Sequence, residues 1–137
     1  MNNQNIMNKG DVFTCDFIVT PDIYLRFISL FKDYNPLHTN EKYAVEKGFK
    51  HKVMHGNILN GFLSYFIGEC LPLKNVLIHS QEIKYLKPVY LNDYLTLHAE
   101  IDDVFESVNT VELKYYFENS NKEKVARGKI QIGILSS

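Results

Sequence analysis

The hydrophobic positions of this chain change period twice, and each change predicts a change of element. Residues 11–19 contain Val12, Phe13, Phe17, Ile18 and Val19, a β-forming set that predicts a first strand ending at Thr20-Pro21. Thr20 as a cap and Pro21 at the first helical position open the next stretch. There Ile23, Tyr24, Phe27, Ile28, Leu30 and Phe31 recur at near-helical spacing, predicting a helix to about Lys32. A short helix containing Tyr43, Ala44 and Val45 follows, capped by Thr39 or Asn40 and ended by Gly48, with 49–54 as a loop. From His55 onward Ile58, Leu59, Phe62, Leu63, Tyr65, Phe66 and Ile67 are apolar nearly all round, the pattern of a helix enclosed by protein. Gly68 and Pro72 close it.

Beyond Pro72 the period falls to two. Leu95, Leu97, Ala99 and Ile101 face one way, and Tyr94, Thr96, His98 and Glu100 the other. Residues 76–87, 111–117 and 125–134 also favour strand, with Asn119-Ser120-Asn121-Lys122 as the turn joining the last two. One apolar helix followed by about four strands implies an α+β arrangement, an antiparallel sheet curled around the helix.

Bulk properties narrow the partners. A chain of 137 residues is one domain's worth and buries about two thirds of its unfolded surface without a disulfide or metal. The net charge of −1, from 15 basic and 16 acidic residues without a long run of either, offers no field for a polyanion, so nucleic acid is not an expected partner. Cys15 and Cys70 stand far apart without a CxxC, which fits a reducing cytoplasm and suggests neither a disulfide framework nor a zinc site. Residues 1–10 are polar and lack a signal-peptide core, so they read as a disordered or frayed end before a single domain at 11–137. The apolar run 58–67 is broken by Asn60, Gly61 and Ser64 and falls short of the ~20 residues of a membrane span. A soluble protein is expected.

Candidate chemistry lies between the first helix and the apolar one. In Asp33-Tyr34-Asn35-Pro36-Leu37-His38, Pro36 lacks an N–H and drives Asn35 out of the αR region, so the chain must bend there. Such a bend can bring the Asp33 carboxylate and the His38 imidazole around one water, the arrangement acid–base chemistry needs. His55-Gly56 heads the apolar run, and a helix opened by Gly56 leaves backbone N–H groups free to polarise a carbonyl. An Asp-Asn-Pro segment by itself is turn composition; the combination with His38 and His55-Gly56 gives it meaning. His51 and His55 have the i, i+4 spacing of a metal pair, but Gly56 and the basic loop around Lys47, Lys50, His51 and Lys52 put the helix start after them, so no metal is expected. That loop is a candidate phosphate-binding surface. Ser64 lacks a Gly-x-Ser-x-Gly elbow, and Cys70 reads as core.

Asp33-x-Asn35-Pro36-Leu37-His38, then His55-Gly56, then Lys87-Pro88-Val89 at the end of a strand, together resemble the MaoC-type hot-dog dehydratases, and most closely their (R)-specific enoyl-CoA hydratases. The resemblance implies a hot-dog fold, an antiparallel sheet wrapped around a long central helix. It also implies reversible addition of water to a trans-2-enoyl thioester, giving an (R)-3-hydroxyacyl thioester. In that reading Asp33 and His38 are catalytic, Asn35 supports them, and the Gly56 N–H polarises the thioester carbonyl. Ser64 lines the acyl pocket, Asn57 puts an amide close to the carbonyl, and His55 packs or hydrogen-bonds near the helix start. No cofactor is implied beyond coenzyme A or acyl carrier protein as part of the substrate, and a homodimer or dimer of dimers is expected. Phe31-Lys32 stands where many members have Ser-Gly, and Asn57 where Met is common. A hot-dog thioesterase and a non-catalytic acyl-thioester binding module are the alternatives.

Overall fold

The computed structural model describes residues 7–136. Strand β1 (Val12–Ile18) leads into helix α1 (Pro21–Phe31), then two short helices, α2 (Pro36–Thr39) and α3 (Glu41–Glu46). The central helix α4 (Asn57–Tyr65) runs on into a π-helical turn, Phe66–Cys70. Strands β2 (Val76–Tyr85), β3 (Tyr94–Phe105), β4 (Thr110–Glu118) and β5 (Lys124–Ile134) follow. The five strands form one sheet in the order β1-β3-β4-β5-β2, with every neighbouring pair antiparallel.

The strand alternation expected for 94–101 is present: Leu95, Leu97, Ala99 and Ile101 are buried. On β4, Val111, Leu113, Tyr115 and Phe117 point the same way. Against this inner face α4 lays Ile58, Leu59, Phe62 and Leu63, and Phe62 stacks on Phe17 of β1 with ring centroids 4.4 Å apart. The result is the hot-dog arrangement, a curled sheet around one helix.

Caps fall where side-chain chemistry puts them. The Thr20 hydroxyl accepts the Ile23 N–H at 3.1 Å, and Asn40, rather than Thr39, caps α3 by accepting from Tyr43 N–H at 3.0 Å. Gly48 takes a φ of +96° just past α3.

Four details differ from the sequence expectation. The bend at 33–38 contains a full helical turn, α2, because Pro36 is preorganised for a first helical position. The strand expected over 76–87 ends at Tyr85, and Leu86 and Lys87 instead both donate to the Val125 carbonyl ahead of Pro88. The central helix is not enclosed: Asn57, Gly61, Ser64, Tyr65 and Gly68 form an exposed strip along it, since small and polar residues recur there every three to four positions. Of the expected frayed end, residues 1–6 lie outside the described residues. Met7 is fully buried in the core and the Gly10 N–H donates to the Ile101 carbonyl at 2.9 Å. Among the described residues no helix is long and apolar enough to cross a membrane.

Candidate active site

Helix α1 stops at Lys32, which adopts a left-handed conformation (φ 57°) and returns its N–H to the Ile28 carbonyl at 2.8 Å. Two nested side-chain turns follow. Asp33 Oδ1 accepts the Asn35 N–H at 3.1 Å, and Asn35 Oδ1 accepts the Leu37 N–H at 3.0 Å, capping α2. Asn35 therefore shapes the backbone between the two candidate catalytic groups, and α2 swings His38 back toward Asp33.

His38 is then fixed from the loop before α4. Its Nδ1 lies 2.7 Å from the Val53 carbonyl oxygen, while the Val53 N–H donates to the Leu37 carbonyl at 3.0 Å. A carbonyl oxygen can only accept, so Nδ1 carries the hydrogen and the neutral ring presents its lone pair at Nε2. Tyr24 of α1 adds a further clamp, its hydroxyl donating to the His38 carbonyl at 2.5 Å.

His55 joins the same cluster. It is buried, with 3% of its surface exposed, and its Nε2 donates to the Asp33 carbonyl oxygen at 3.0 Å while lying 4.0 Å from Asp33 Oδ2. Its ring centroid is 4.2 Å from that of His38 and 4.7 Å from that of Phe27. One carboxylate oxygen of Asp33 and one ring nitrogen from each histidine lie within 4.8 Å of one another. A water accepting or donating two hydrogen bonds of about 2.8 Å spans roughly 4.6 Å, so one solvent molecule fits this spacing.

His51 goes elsewhere. Its Nδ1 meets Glu41 Oε1 at 2.8 Å, and α4 begins beyond His55, so the i, i+4 pair is not carried on one helix. Asp33, His38 and His55 have the spacing of three metal ligands, yet His38 Nδ1 and His55 Nε2 both spend their hydrogens on carbonyl oxygens. Only His38 Nε2 and the unpartnered, buried His55 Nδ1 keep lone pairs.

Gly56 supplies the start of α4 without a side-chain cap. The Ile58 and Leu59 N–H groups turn back to the carbonyls of His55 and Gly56, whereas the N–H groups of Gly56 and Asn57 meet no protein acceptor among the described residues. Gly56, His38 and His55 border one cavity of about 380 Å³, walled mainly by apolar side chains such as Leu37, Phe49, Ile58 and Leu59, with Tyr85 and Lys87 also in its lining. Glycine at 56 has a steric cause. A Cβ there would sit 2.8 Å from the ring of Tyr85.

Lys87, Pro88 and Val89 line this cavity as well, whereas Asp33, Asn57, Ser64 and the basic side chains of the 47–52 loop are not among its lining residues. Asn57 is exposed and accepts from the Asn60 amide at 2.8 Å, and Ser64 lies on the exposed strip of α4. In the basic loop, Glu41 takes both His51 and the Lys52 N–H, and the Lys52 ammonium stands 4.6 Å over the Tyr24 ring. The Val89 carbonyl also accepts the Met54 N–H at 2.8 Å, just before His55. Tyr24 and Val53 carry no sequence signal for their role: one reads as an apolar helix position, and the other works only through its peptide groups.

The chain matches the sequence profile of the MaoC like domain over residues 3–122. It is 40% identical over 75 residues to an (R)-specific enoyl-CoA hydratase of Rhodospirillum rubrum, an overlap of 55% of this chain and 51% of that protein. A second (R)-specific enoyl-CoA hydratase, from Aeromonas caviae, is 31% identical over 75 residues, covering 55% of this chain and 56% of its own length. The matches thus span about half the length of these two curated relatives. The R-hydratase PhaJ1 of Pseudomonas aeruginosa in its unliganded form shares the fold, with a TM-score of 0.86 at 22% identity over 96% of this chain and 84% of that one. With a profile covering most of its length and the fold to match, the chain belongs to the MaoC-like domain family.

Proposed function

We propose that this chain is a hydro-lyase that reversibly adds water to a trans-2-enoyl thioester, giving the (R)-3-hydroxyacyl thioester. The observation that carries this reading is the gathering of Asp33, His38 and His55 within 4.8 Å, with the His38 lone pair forced to Nε2 by Val53. A carboxylate and an imidazole lone pair are two acceptors for the two hydrogens of one water, which leaves the water oxygen free to attack. Asp33 takes a proton as the oxygen bonds to the β-carbon. His38 orients the water by accepting its second hydrogen at Nε2, and the proton taken by Asp33 passes on to the α-carbon, which restores the carboxylate. The Gly56 N–H stabilises the enolate oxygen that develops on the thioester between these steps. Asn35 and His55 hold the Asp33 segment, and Asn57 and Ser64 lie further along the acyl-binding helix. The reaction needs no metal or redox cofactor; coenzyme A or acyl carrier protein enters as part of the substrate.

The two (R)-specific enoyl-CoA hydratases among the relatives support this reading. The test is a series of 2-enoyl-CoA substrates of increasing chain length, followed through the conjugated enoyl absorbance with a thiol reagent present. Loss of absorbance without thiol release is expected, with (R)-3-hydroxyacyl product and no effect of a chelator. Thiol release without hydration would replace the proposal with a thioesterase. Binding without turnover would replace it with an idle binding module.

A homodimer is part of the same proposal. The exposed strip on α4 borders edge strand β2, where the Gln81 amide reaches Asn60 at 2.5 Å and Leu77 and Tyr85 are half exposed. Open space over Gly61 and Gly68 leaves room for a second helix to approach. Light scattering should give about twice the 16.0 kDa chain mass; a monomer at micromolar concentration would remove this part.

A further inference from the structure

The chain's two cysteines, remote in sequence, meet in the fold: Cys15 Sγ on β1 and Cys70 Sγ at the end of the π-helical turn are 3.5 Å apart. Both are free thiols, and both residues are partly exposed while packing against the core. We propose that Cys15 and Cys70 are a modification site, forming an intramolecular disulfide when the protein meets a low-molecular-weight disulfide oxidant.

The geometry asks for little movement. A disulfide needs a sulfur separation of about 2.05 Å, so the pair must close by roughly 1.5 Å. Each side has room to give. Cys15 lies on an edge strand paired only with β3, and Cys70 is the last residue before the chain leaves the helix at Leu71 in an extended conformation.

The electrons balance through exchange. One cysteine thiolate attacks the oxidant, breaking its S–S bond, forming a mixed disulfide and releasing one small thiol with the proton the cysteine gave up. The second cysteine then attacks the first one's sulfur, breaking the mixed bond, forming Sγ–Sγ and releasing the second small thiol. Two protein thiols are oxidised and one oxidant disulfide is reduced. Burial, joined by the neighbouring Cys70 thiol, pushes the Cys15 thiol up to about 11. Little thiolate is present there at neutral pH, which makes the exchange slow, and a thiol of that basicity is a poor leaving group, so the finished bond resists reduction.

The cross-link would close a loop that holds Asp33, His38, His55 and Gly56 between its ends, constraining the unfolded chain over the whole segment that builds the cluster. The experiment incubates the folded chain with oxidised glutathione, then counts thiols, weighs the intact protein and maps its peptides. Expected are loss of both thiols, a mass lower by about 2 Da, a peptide joining Cys15 to Cys70, and a midpoint of thermal unfolding raised by roughly 5–10 °C and restored by dithiothreitol. Cys15→Ser and Cys70→Ser, each checked for native circular dichroism, should gain a glutathione adduct at most and show no rise. Thiols that stay free in the folded chain but oxidise once urea unfolds it would overturn the proposal. So would stable glutathione adducts on the wild-type chain, or covalent dimers in place of the intramolecular bond.

Discussion

The Val53 carbonyl oxygen receives the His38 Nδ1–H at 2.7 Å, and the Val53 N–H returns a bond to Leu37, the residue before it. One peptide unit of an otherwise unremarkable loop thus sets both the position and the tautomer of the imidazole. Removing the ring leaves that carbonyl, part-buried, without its donor. His38→Ala should therefore lower stability by about 1–3 kcal/mol, read as a lower urea midpoint, and cut hydration of an enoyl thioester by roughly 10²–10⁴-fold. A variant with unchanged turnover would remove His38 from the chemistry.

Asp33→Asn separates chemistry from structure more cleanly. An asparagine oxygen accepts the Asn35 N–H as the carboxylate does, so the turn into α2 is retained. The buried His55 ring bonds the backbone carbonyl of Asp33, not its side chain, and is untouched. Thermal unfolding should shift by no more than a degree or two while turnover falls by about 10²–10⁴-fold. Turnover near wild type would reject Asp33 as the base.

Gly56 is required by its neighbour and not by its backbone. Its φ of −58° and ψ of −33° are ordinary right-handed helix, which alanine favours over glycine. The obstacle is the Tyr85 ring, 2.8 Å from where the methyl would stand. Gly56→Ala should cost about 1–3 kcal/mol alone and become neutral or stabilising in a Tyr85→Ala background. Equal costs in both backgrounds, measured by chemical unfolding, would place the constraint elsewhere.

The parts of the fold that follow from periodicity were legible in advance. Leu95, Leu97, Ala99 and Ile101 alternate because one face of β3 is buried, and Thr20-Pro21 marks a helix start by local chemistry alone. Asp33 and His38 were legible as a pair because Pro36 forces the chain to bend between them. The contribution of His55 to that pair was not, since its partner is a backbone carbonyl 22 residues away and no spacing rule encodes such a contact. The exposed strip of α4 was missed because Tyr65 is apolar by type, and its half-exposed position becomes visible only once the sheet covers the opposite face. The meeting of Cys15 with Cys70 likewise depends on β1 returning beside the end of the central helix, which neither segment announces.

Lys32 gives a test in the opposite direction, a substitution that should improve the chain. It occupies the left-handed position that ends α1, at φ 57°, where a side chain crowds the carbonyl that follows. Glycine adopts that conformation without the penalty, although it adds freedom to the unfolded chain. The Lys32 ammonium recovers little, since its contact with the Ser29 carbonyl is exposed and long at 3.4 Å. Lys32→Gly should therefore stabilise the protein by about 0.5–1 kcal/mol, seen as a higher urea midpoint at unchanged slope. Because the N–H of this residue still caps Ile28, the entry into Asp33 and the turnover it supports should stay within about twofold of wild type. A loss of stability would show that the lysine side chain, and not the helix cap, holds this corner.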